Sequence, residues 1–299
     1  MPPPLYVLVG ATASGKSAAS IPLARELGAE IVSLDSMLLY RGMDIGTDKP
    51  RDRGGVPHHL IDLLDATERF DAKRYLAAAD AAIASIHARG RRVLVVGGTG
   101  LYLMGLVKGF FEGAPRDPAL RESLETIPTG ELHDRLGGVD PEAAARLHPN
   151  DRRRILRALE VHAATGSPLS ALQTQFTGED RYACLFAGIR RTREDLKARI
   201  LARVGEMRDA GLVEEVKRLQ LGPTAEQAVG YKEIAAALRG EIEMEEAFLL
   251  IARNTVRLVR RQETWFKRFS VRWVEAAPEA TTADLVPRLL AAYRGTTTE

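Results

Sequence analysis

The apolar run Leu5-Tyr6-Val7-Leu8-Val9, followed at once by Gly10-Ala11-Thr12-Ala13-Ser14-Gly15-Lys16-Ser17, leaves little freedom in how this chain folds. Five consecutive apolar residues need burial on both faces, which a strand inside a covered parallel sheet provides. The next eight residues match G-x-x-x-x-G-K-[ST], a phosphate-binding loop between a strand and a helix. That helix is predicted over Lys16–Leu27 with Gly28 as its stop, although Pro22 inside it should cost about 3 kcal/mol or kink it. Glycines let backbone N–H groups converge on phosphate oxygens, and the helix N-terminus adds partial positive charge. The residues from Gly10 to Ser17 are thus expected to hold a diphosphate. Lys16 supplies a compact cation and the Ser17 hydroxyl a ligand for Mg²⁺. The loop specifies a diphosphate, not a nucleotide.

Further strand and helix patterns alternate. Glu30–Leu34 reads as a strand ending at Asp35, Lys73–Arg89 as a helix stopped by Gly90, and Val93–Val96 as a second fully buried strand. From Gly113 to Gly178 no strand pattern occurs. Asp117-Pro118, Asp140-Pro141 and Ser167-Pro168 look like helix caps followed by proline, and Asn150 is expected to cap a helix running to Thr165. A strand over Tyr182–Ala187 returns the chain to the sheet. Helices are expected over Thr192–Ala210 (opened by a capping box of Thr192 and Asp195), Leu212–Leu219, Glu226–Leu238 and Glu243–Phe269. A late strand, Val271–Val274, precedes a last helix from Ala283. The fold class is α/β: a P-loop NTPase-like parallel sheet core flanked by helices, residues 1–113 and 180–299, carrying an all-helical insertion domain, residues 114–179.

Composition narrows the setting. Hydrophobic residues make up 45% and charged residues 27% of the 299, ordinary for a globular enzyme with a sizeable core. Nothing approaches the ~18 uninterrupted apolar residues of a membrane span. Met1-Pro2-Pro3-Pro4 carries no signal-peptide pattern. Cys184 is the only cysteine, which points to a small core residue in a reducing cytoplasm. No feature calls for an oligomer, so a monomer is expected. The adjacent pair His58-His59 is a weak zinc candidate, because neighbouring side chains on an extended segment point apart.

The net charge of +2 hides strong local imbalance. Seven basic residues between Arg253 and Arg272 face one acidic residue, Glu263. Seven more lie between Arg190 and Arg208, and Arg152-Arg153-Arg154 with Arg157 forms a third cluster. Any one could be a solvated helix face; three together suggest a polyanionic partner.

Hydrolytic P-loop enzymes place a magnesium-holding aspartate after a second apolar strand. Here Val93–Val96 ends instead in Gly97-Gly98-Thr99-Gly100, leaving Asp62 and Asp65 as substitutes. Asp35 is either a cap or a general base facing the phosphates; Thr99 is either a turn residue or a hydrogen-bonding partner of substrate. Arg199 and Arg203 stand i,i+4 on one helix, so one can hold diphosphate while the other braces it.

GATASGKS, SLDSMLLYRGMDIGTDKP (33–50), VVGGTGLY (95–102), HPNDRRRILRALEV (148–161), VGYKE (229–233) and RRQETWFKR (260–268) together resemble the bacterial tRNA dimethylallyltransferases, also called tRNA isopentenyltransferases. The resemblance covers nearly the whole chain. Ala11 stands where the family usually has proline, and Leu38 where it often has glutamine. What the resemblance implies is transfer of a dimethylallyl group from dimethylallyl diphosphate to N6 of adenosine 37, in the tRNA anticodon stem-loop. It implies Asp35 as general base, Thr99 assisting, and Lys16 with Arg203 on the leaving diphosphate. It also implies tRNA contacts from Asp35, Ser36, Met37, Leu38, Thr99, Arg121, Arg153, Arg154, Ile155, Leu156, Arg157, Gln227, Gly230, Tyr231 and Lys232. The stripe Arg253, Arg257, Arg260 and Arg261 occupies one helix face, suited to the phosphates around an extruded base, and Tyr231 or Trp265 is placed to stack on RNA. Two rivals share the loop: a small-molecule kinase using ATP, with Asp35 as base on a hydroxyl, and an RNA-binding module that has lost the chemistry.

Overall fold

The computed structural model describes residues 3–110, 117–172 and 179–295. Met1, Pro2, Gly178 and the expected lower limit of the insertion at Gly113 and Ala114 lie outside them. In chain order the elements are β1 (Leu5–Gly10), α1 (Lys16–Leu27), β2 (Ala29–Leu34), β3 (His58–His59), α2 (Ala72–Ala88), β4 (Arg92–Gly97) and α3 (Gly100–Lys108). Helices α4 (Pro118–Glu125), α5 (Thr129–Val139), α6 (Pro141–Arg146), α7 (Arg152–Thr165) and α8 (Leu169–Leu172) follow. The chain closes with β5 (Cys184–Arg190), α9 (Arg193–Asp209), α10 (Leu212–Arg218), a 3₁₀ turn at Ala225–Gln227, α11 (Tyr231–Leu238), α12 (Met244–Phe266), β6 (Arg272–Glu275) and α13 (Thr282–Arg294).

The six strands among the described residues are parallel, in the order β3-β2-β4-β1-β5-β6. Side chains alternate between two packed faces. Val7, Val9, Val32, Leu34 and Val95 join one core with residues of α2, α3, α9 and α12. Leu8, Ile31, Leu94 and Val96 join a second with residues of α1 and α13. Register places Gly97 of β4 opposite both Val9 of β1 and Leu34 of β2. The three strands therefore end together, and the phosphate loop, Asp35 and Thr99 leave the same edge of the sheet, where ligands of open α/β sheets bind.

The chain divides into two compact units, Lys108–Arg181 and the remainder. Among the described residues Lys108–Arg181 is entirely helical, and Leu124, Leu132, Leu136, Ile155, Leu156 and Leu159 form its core.

Several boundaries move for identifiable reasons. Pro22 lies inside α1 without ending it, and Ala18, whose carbonyl loses its partner, is exposed to water. Asp151, not Asn150, caps α7, its carboxylate accepting from the Arg154 N–H. The capping box at Thr192 is half made: Thr192 Oγ1 accepts from the Asp195 N–H at 3.2 Å, but the Asp195 carboxylate turns to Arg191 and Arg199. The helix expected over Glu226–Leu238 is broken before Tyr231, because Gly230 has φ 101° and Glu233 reaches back to its N–H at 2.8 Å. Cys184 opens β5 half-buried rather than lying in the core.

Leu8 is fully buried at the centre of the sheet. Leu8→Ala is expected to lower unfolding stability by about 2–5 kcal/mol in urea titration, with little change in helix content by circular dichroism.

Candidate active site

The loop between β1 and α1 is a preformed anion cradle. Ala13 (φ 65°) and Gly15 (φ 94°) take the left-handed conformation, which turns successive N–H groups inward. The Ser14 N–H closes the turn on the Ala11 carbonyl at 3.1 Å, and Lys16 Nζ reaches that same carbonyl at 3.4 Å. Burial pulls the Lys16 ammonium down to about 8; Asp35 opposes the shift, Arg203 adds to it and Asp48 opposes it. Arg191, not foreseen from the sequence, braces the loop from behind. It donates to the Ser14 carbonyl at 2.9 Å, to the Ala277 carbonyl at 2.7 Å and to Asp195 at 2.9 Å. Ser17 is exposed at the start of α1.

Asp35 and Thr99 are tied into one turn. The Thr99 N–H donates to the Leu34 carbonyl at 3.1 Å, the Ser36 N–H donates to Thr99 Oγ1 at 3.2 Å, and the Met37 N–H donates to Asp35 Oδ1 at 2.8 Å. Asp35 is therefore held through one oxygen beside the cradle, with its second oxygen remaining as an acceptor.

Two helices complete the site. From α9, Arg203 donates to Thr12 Oγ1 at 3.1 Å and stands 3.5 Å from Asp48. Its buried Nε and the buried Ser14 hydroxyl have no hydrogen-bond partner among the described residues. Unpaired donors buried beside a cationic cradle are groups that a bound anion would satisfy. The expected brace, Arg199, turns away to Asp195 and the Pro278 carbonyl, so that role passes to Arg191. From α12, Gln262 accepts from the Thr12 N–H at 2.9 Å. A side chain at Gly98 would collide with the Gln262 amide, and one at Gly100 with the Trp265 ring. Glycines there let α12 approach the sheet edge. Gln262 was legible as a buried polar residue among Ala252, Val259 and Phe266 on the apolar stripe of α12.

The segment from Asp44 to Lys49 forms the opposite wall. Buried Glu215 accepts from the N–H groups of Asp44, Ile45 and Gly46 and from the Tyr231 hydroxyl at 2.5 Å. Lys49 Nζ pairs with Asp62 at 2.6 Å and with Asp44 at 2.7 Å. Burial opposes ionisation of Asp62, but Lys49 and Arg53 hold its carboxyl below the usual range. Asp65 pairs with Arg41 at 2.8 Å. Neither carboxylate considered for magnesium is therefore at the cradle. His59 pairs with Glu30 and His58 with the Val56 carbonyl, and no group of three potential metal ligands occurs among the described residues.

Between these walls lies a recess of about 110 Å³. Thr12, Asp35, Thr47, Arg203 and Thr255 are its polar lining, and Met37, Ile200, Val204, Met207, Val229, Ile251 and Leu258 its apolar lining. A second cavity of about 410 Å³, lined by Ser17, Asp44, Asp48, Lys49, Arg51 and Glu206 among others, meets the first at Arg203 and Met207.

Residues expected at RNA divide into two groups. Arg257 and Arg261 on α12, with Arg253 and Arg260, are exposed, as are Gln227 and, in the helical unit, Arg153 and Arg154. Lys232 is half-buried beside Glu233, at 3.5 Å. Leu38 is half-buried, its carbonyl accepting from the Asp62 N–H. Arg121 and Arg157 pair with buried Glu160, Arg121 at 3.0 Å and Arg157 at 3.5 Å. Tyr231 corrects the stacking expectation: it is fully buried, with its hydroxyl on Glu215. Gly230 is buried before it. Trp265 lies over Gly100 with the Arg268 guanidinium 4.8 Å from its ring centre, so its ring is already occupied. Ile155 and Leu156, expected at tRNA, are instead buried in the helical unit's core, so their side chains are not at the surface.

Residues 38–269 match the family model described as IPP transferase, and residues 3–56 match that described as isopentenyl transferase. A tRNA dimethylallyltransferase of Citrifermentans bemidjiense is 49% identical over 280 residues, 91% of this chain and 92% of that protein. The crystal structure of a tRNA isopentenylpyrophosphate transferase from Staphylococcus epidermidis superposes with a TM-score of 0.71 at 33% identity, covering 98% of this chain and 99% of that one. A eukaryotic dimethylallyltransferase, captured in crystals acting on tRNA, gives a TM-score of 0.78 at 28% identity, covering 91% of this chain and 73% of its own.

Lys16 with a pKa of about 8 makes anion binding pH-dependent. Methyl diphosphate, whose own charge is constant from pH 7.5 to 9.5, should bind with uptake of a proton above pH 8. Affinity should weaken towards the limit of about tenfold per pH unit. In Lys16→Arg the dependence should vanish, because guanidinium stays charged. Calorimetry in buffers of differing ionisation enthalpy measures both.

Proposed function

Because this chain belongs to the IPP transferase family, we propose that it transfers the dimethylallyl group of dimethylallyl diphosphate to tRNA, at N6 of adenosine 37 beside the anticodon. The observation that carries this reading is the recess in which Asp35, Thr12 and Arg203 meet an apolar lining next to the phosphate loop. An allylic diphosphate has that dual character: an anionic end for the cradle and a small hydrocarbon end for the recess.

The adenine amine is a poor nucleophile, since its lone pair is delocalised into the ring. The N6 nitrogen forms a bond to C1 of the dimethylallyl group as the C1–oxygen bond breaks. The diphosphate leaves with that electron pair, and the N6 proton passes to Asp35. Lys16, the loop N–H groups and Arg203 meet the charge that develops on the departing oxygen; its unpaired Nε gives Arg203 a donor still to use. Thr99, having accepted from the Ser36 N–H, keeps its own hydrogen to steady Asp35 or the base. Gln262 and Arg191 act as positioning residues for the loop.

The donor set at the start of α1 fits Mg²⁺, which favours few protein ligands and shares the rest with phosphate and water. The Ser17 hydroxyl, at the edge of the cavity holding Asp44, Asp48 and Glu206, would hold it, and the ion would neutralise diphosphate charge. Exposed Arg253, Arg257, Arg260 and Arg261 supply a face for the tRNA backbone, and Arg153 and Arg154 add charge from the helical unit. The protein would act as a monomer in the cytoplasm, where its substrate resides. No helix among the described residues is long and apolar enough to cross a membrane.

Incubation with unmodified tRNA, Mg²⁺ and either dimethylallyl diphosphate or ATP should yield a heavier adenosine with the first donor only. A phosphorylated product from ATP would refute the proposal. Asp35→Ala should still bind tRNA but lose roughly 10²–10⁴-fold in transfer rate. For Arg257→Ala and Arg261→Ala, tRNA binding should weaken, and the logarithmic salt slope should fall by about 1 for each.

A further inference from the structure

We infer that Glu215, on α10 and outside both cavities, is a positioning residue for the reaction: it holds the wall formed by residues 44–49 in the shape that aims Arg203 at the departing diphosphate. The inference rests on the proposal that Arg203 meets that diphosphate.

Glu215 is 3% exposed. A carboxylate buried so deeply is costly unless its oxygens are well paired. Its partners are three consecutive backbone N–H groups, those of Asp44 at 3.1 Å, Ile45 at 2.8 Å and Gly46 at 3.3 Å, together with the Tyr231 hydroxyl. Hydrogen bonds to an ionised acceptor are stronger than neutral ones, so this stretch of backbone is firmly placed. Gly46 fits there because a side chain on it would collide with the Tyr231 ring.

The rest of the wall hangs from that anchor. The Asp48 N–H donates to the Ile45 carbonyl at 3.2 Å, and the Lys49 N–H to the Asp44 carbonyl at 3.0 Å. Asp48 takes φ 56°, a left-handed conformation that residues with side chains rarely adopt and that persists where neighbours impose it. Its carboxylate comes to 3.5 Å from Arg203 Nη1, the same nitrogen that donates to Thr12 Oγ1 at 3.1 Å. A single acceptor leaves a guanidinium free to swing about that bond; a second, charged one on the same nitrogen restricts its plane. Thr12 and Asp48 thus claim one corner of the guanidinium. Nε, which has no partner among the described residues, is kept for the diphosphate. The Asp48 side chain is largely exposed, so the pair contributes little to stability. What it contributes is direction.

The test follows single-turnover transfer to tRNA at saturating dimethylallyl diphosphate, with tRNA binding measured separately. Glu215→Gln keeps the shape of the side chain but turns an amide N–H₂ toward other donors, so the wall loses part of its anchor. Its transfer rate should fall about tenfold or more while Kd for tRNA stays within about twofold, because Arg203 acts on charge that develops in the transition state. Asp48→Asn should slow transfer by a similar factor. In the double variant the losses should not multiply: with Asp48 no longer aiming Arg203, Glu215→Gln should slow transfer by less than about threefold more. A residue that merely stabilised the fold would act independently, and the two factors would multiply in full. Full multiplication overturns the inference, as does a wild-type rate in Glu215→Gln.

If Glu215→Gln fails to fold, judged by circular dichroism, Tyr231→Phe decides instead. It leaves the ring against Gly46 and removes one donor to the carboxylate. Transfer should slow about threefold when Asp48 is present and not at all in Asp48→Asn. An equal slowing in both backgrounds, or none in either, overturns the inference. A wild type that transfers nothing to tRNA would sink the proposed function itself, and this inference with it.

Discussion

The close approach of α12 to the C-terminal edge of the sheet is the contact on which the site depends. It is possible because Gly98 and Gly100 present no side chain where Gln262 and Trp265 must pass. Once there, Gln262 takes the Thr12 N–H, so the helix bearing the exposed arginine row also fixes the phosphate loop. A small-residue step in β4's exit thus couples the diphosphate cradle to the face proposed for tRNA. Register does the remainder. Gly97 pairs with both Val9 and Leu34, so loop, carboxylate and threonine leave the sheet side by side.

Charge in the site is arranged around something it must receive. Lys16 is desolvated enough to lower its pKa to about 8, and Arg203 stands near enough to lower it further. Asp35 and Asp48 partly offset that repulsion. A diphosphate would do so more fully, and would also satisfy Arg203 Nε and the Ser14 hydroxyl. The same logic separates this chemistry from phosphoryl transfer. Asp62 and Asp65 are bound to Lys49, Arg53 and Arg41, so the carboxylates nearest to a kinase's magnesium ligands serve to hold a loop. Glu215 does comparable work from the other side, gathering three successive N–H groups of the wall that carries Thr47 and Asp48.

Much of the fold was legible because its signals are local. Continuous apolar strands, the glycine–lysine–serine loop and the proline-marked helix starts each follow from a few neighbouring residues, and Asp35 and Thr99 were found from their places after strands. What failed to show was decided by partners distant in sequence. Arg191 brackets the loop through the Ala277 carbonyl and Asp195, while Arg199, equally basic and better spaced from Arg203, is drawn away by Pro278 and the same aspartate. Tyr231 looked like a stacking ring until its hydroxyl met a buried glutamate sixteen residues away.

The central claim is that the loop grips the diphosphate of an allylic donor while Asp35 faces the carbon it will lose. A crystal structure with an unreactive donor, sulfur replacing the oxygen that bridges carbon and phosphorus, tests this most directly. The account predicts both phosphates on the loop N–H groups, Lys16 and Arg203, with the five-carbon tail in the recess and its first carbon beside the Asp35 carboxylate. A tail lying outside that recess, or a carboxylate turned from the first carbon, would contradict it.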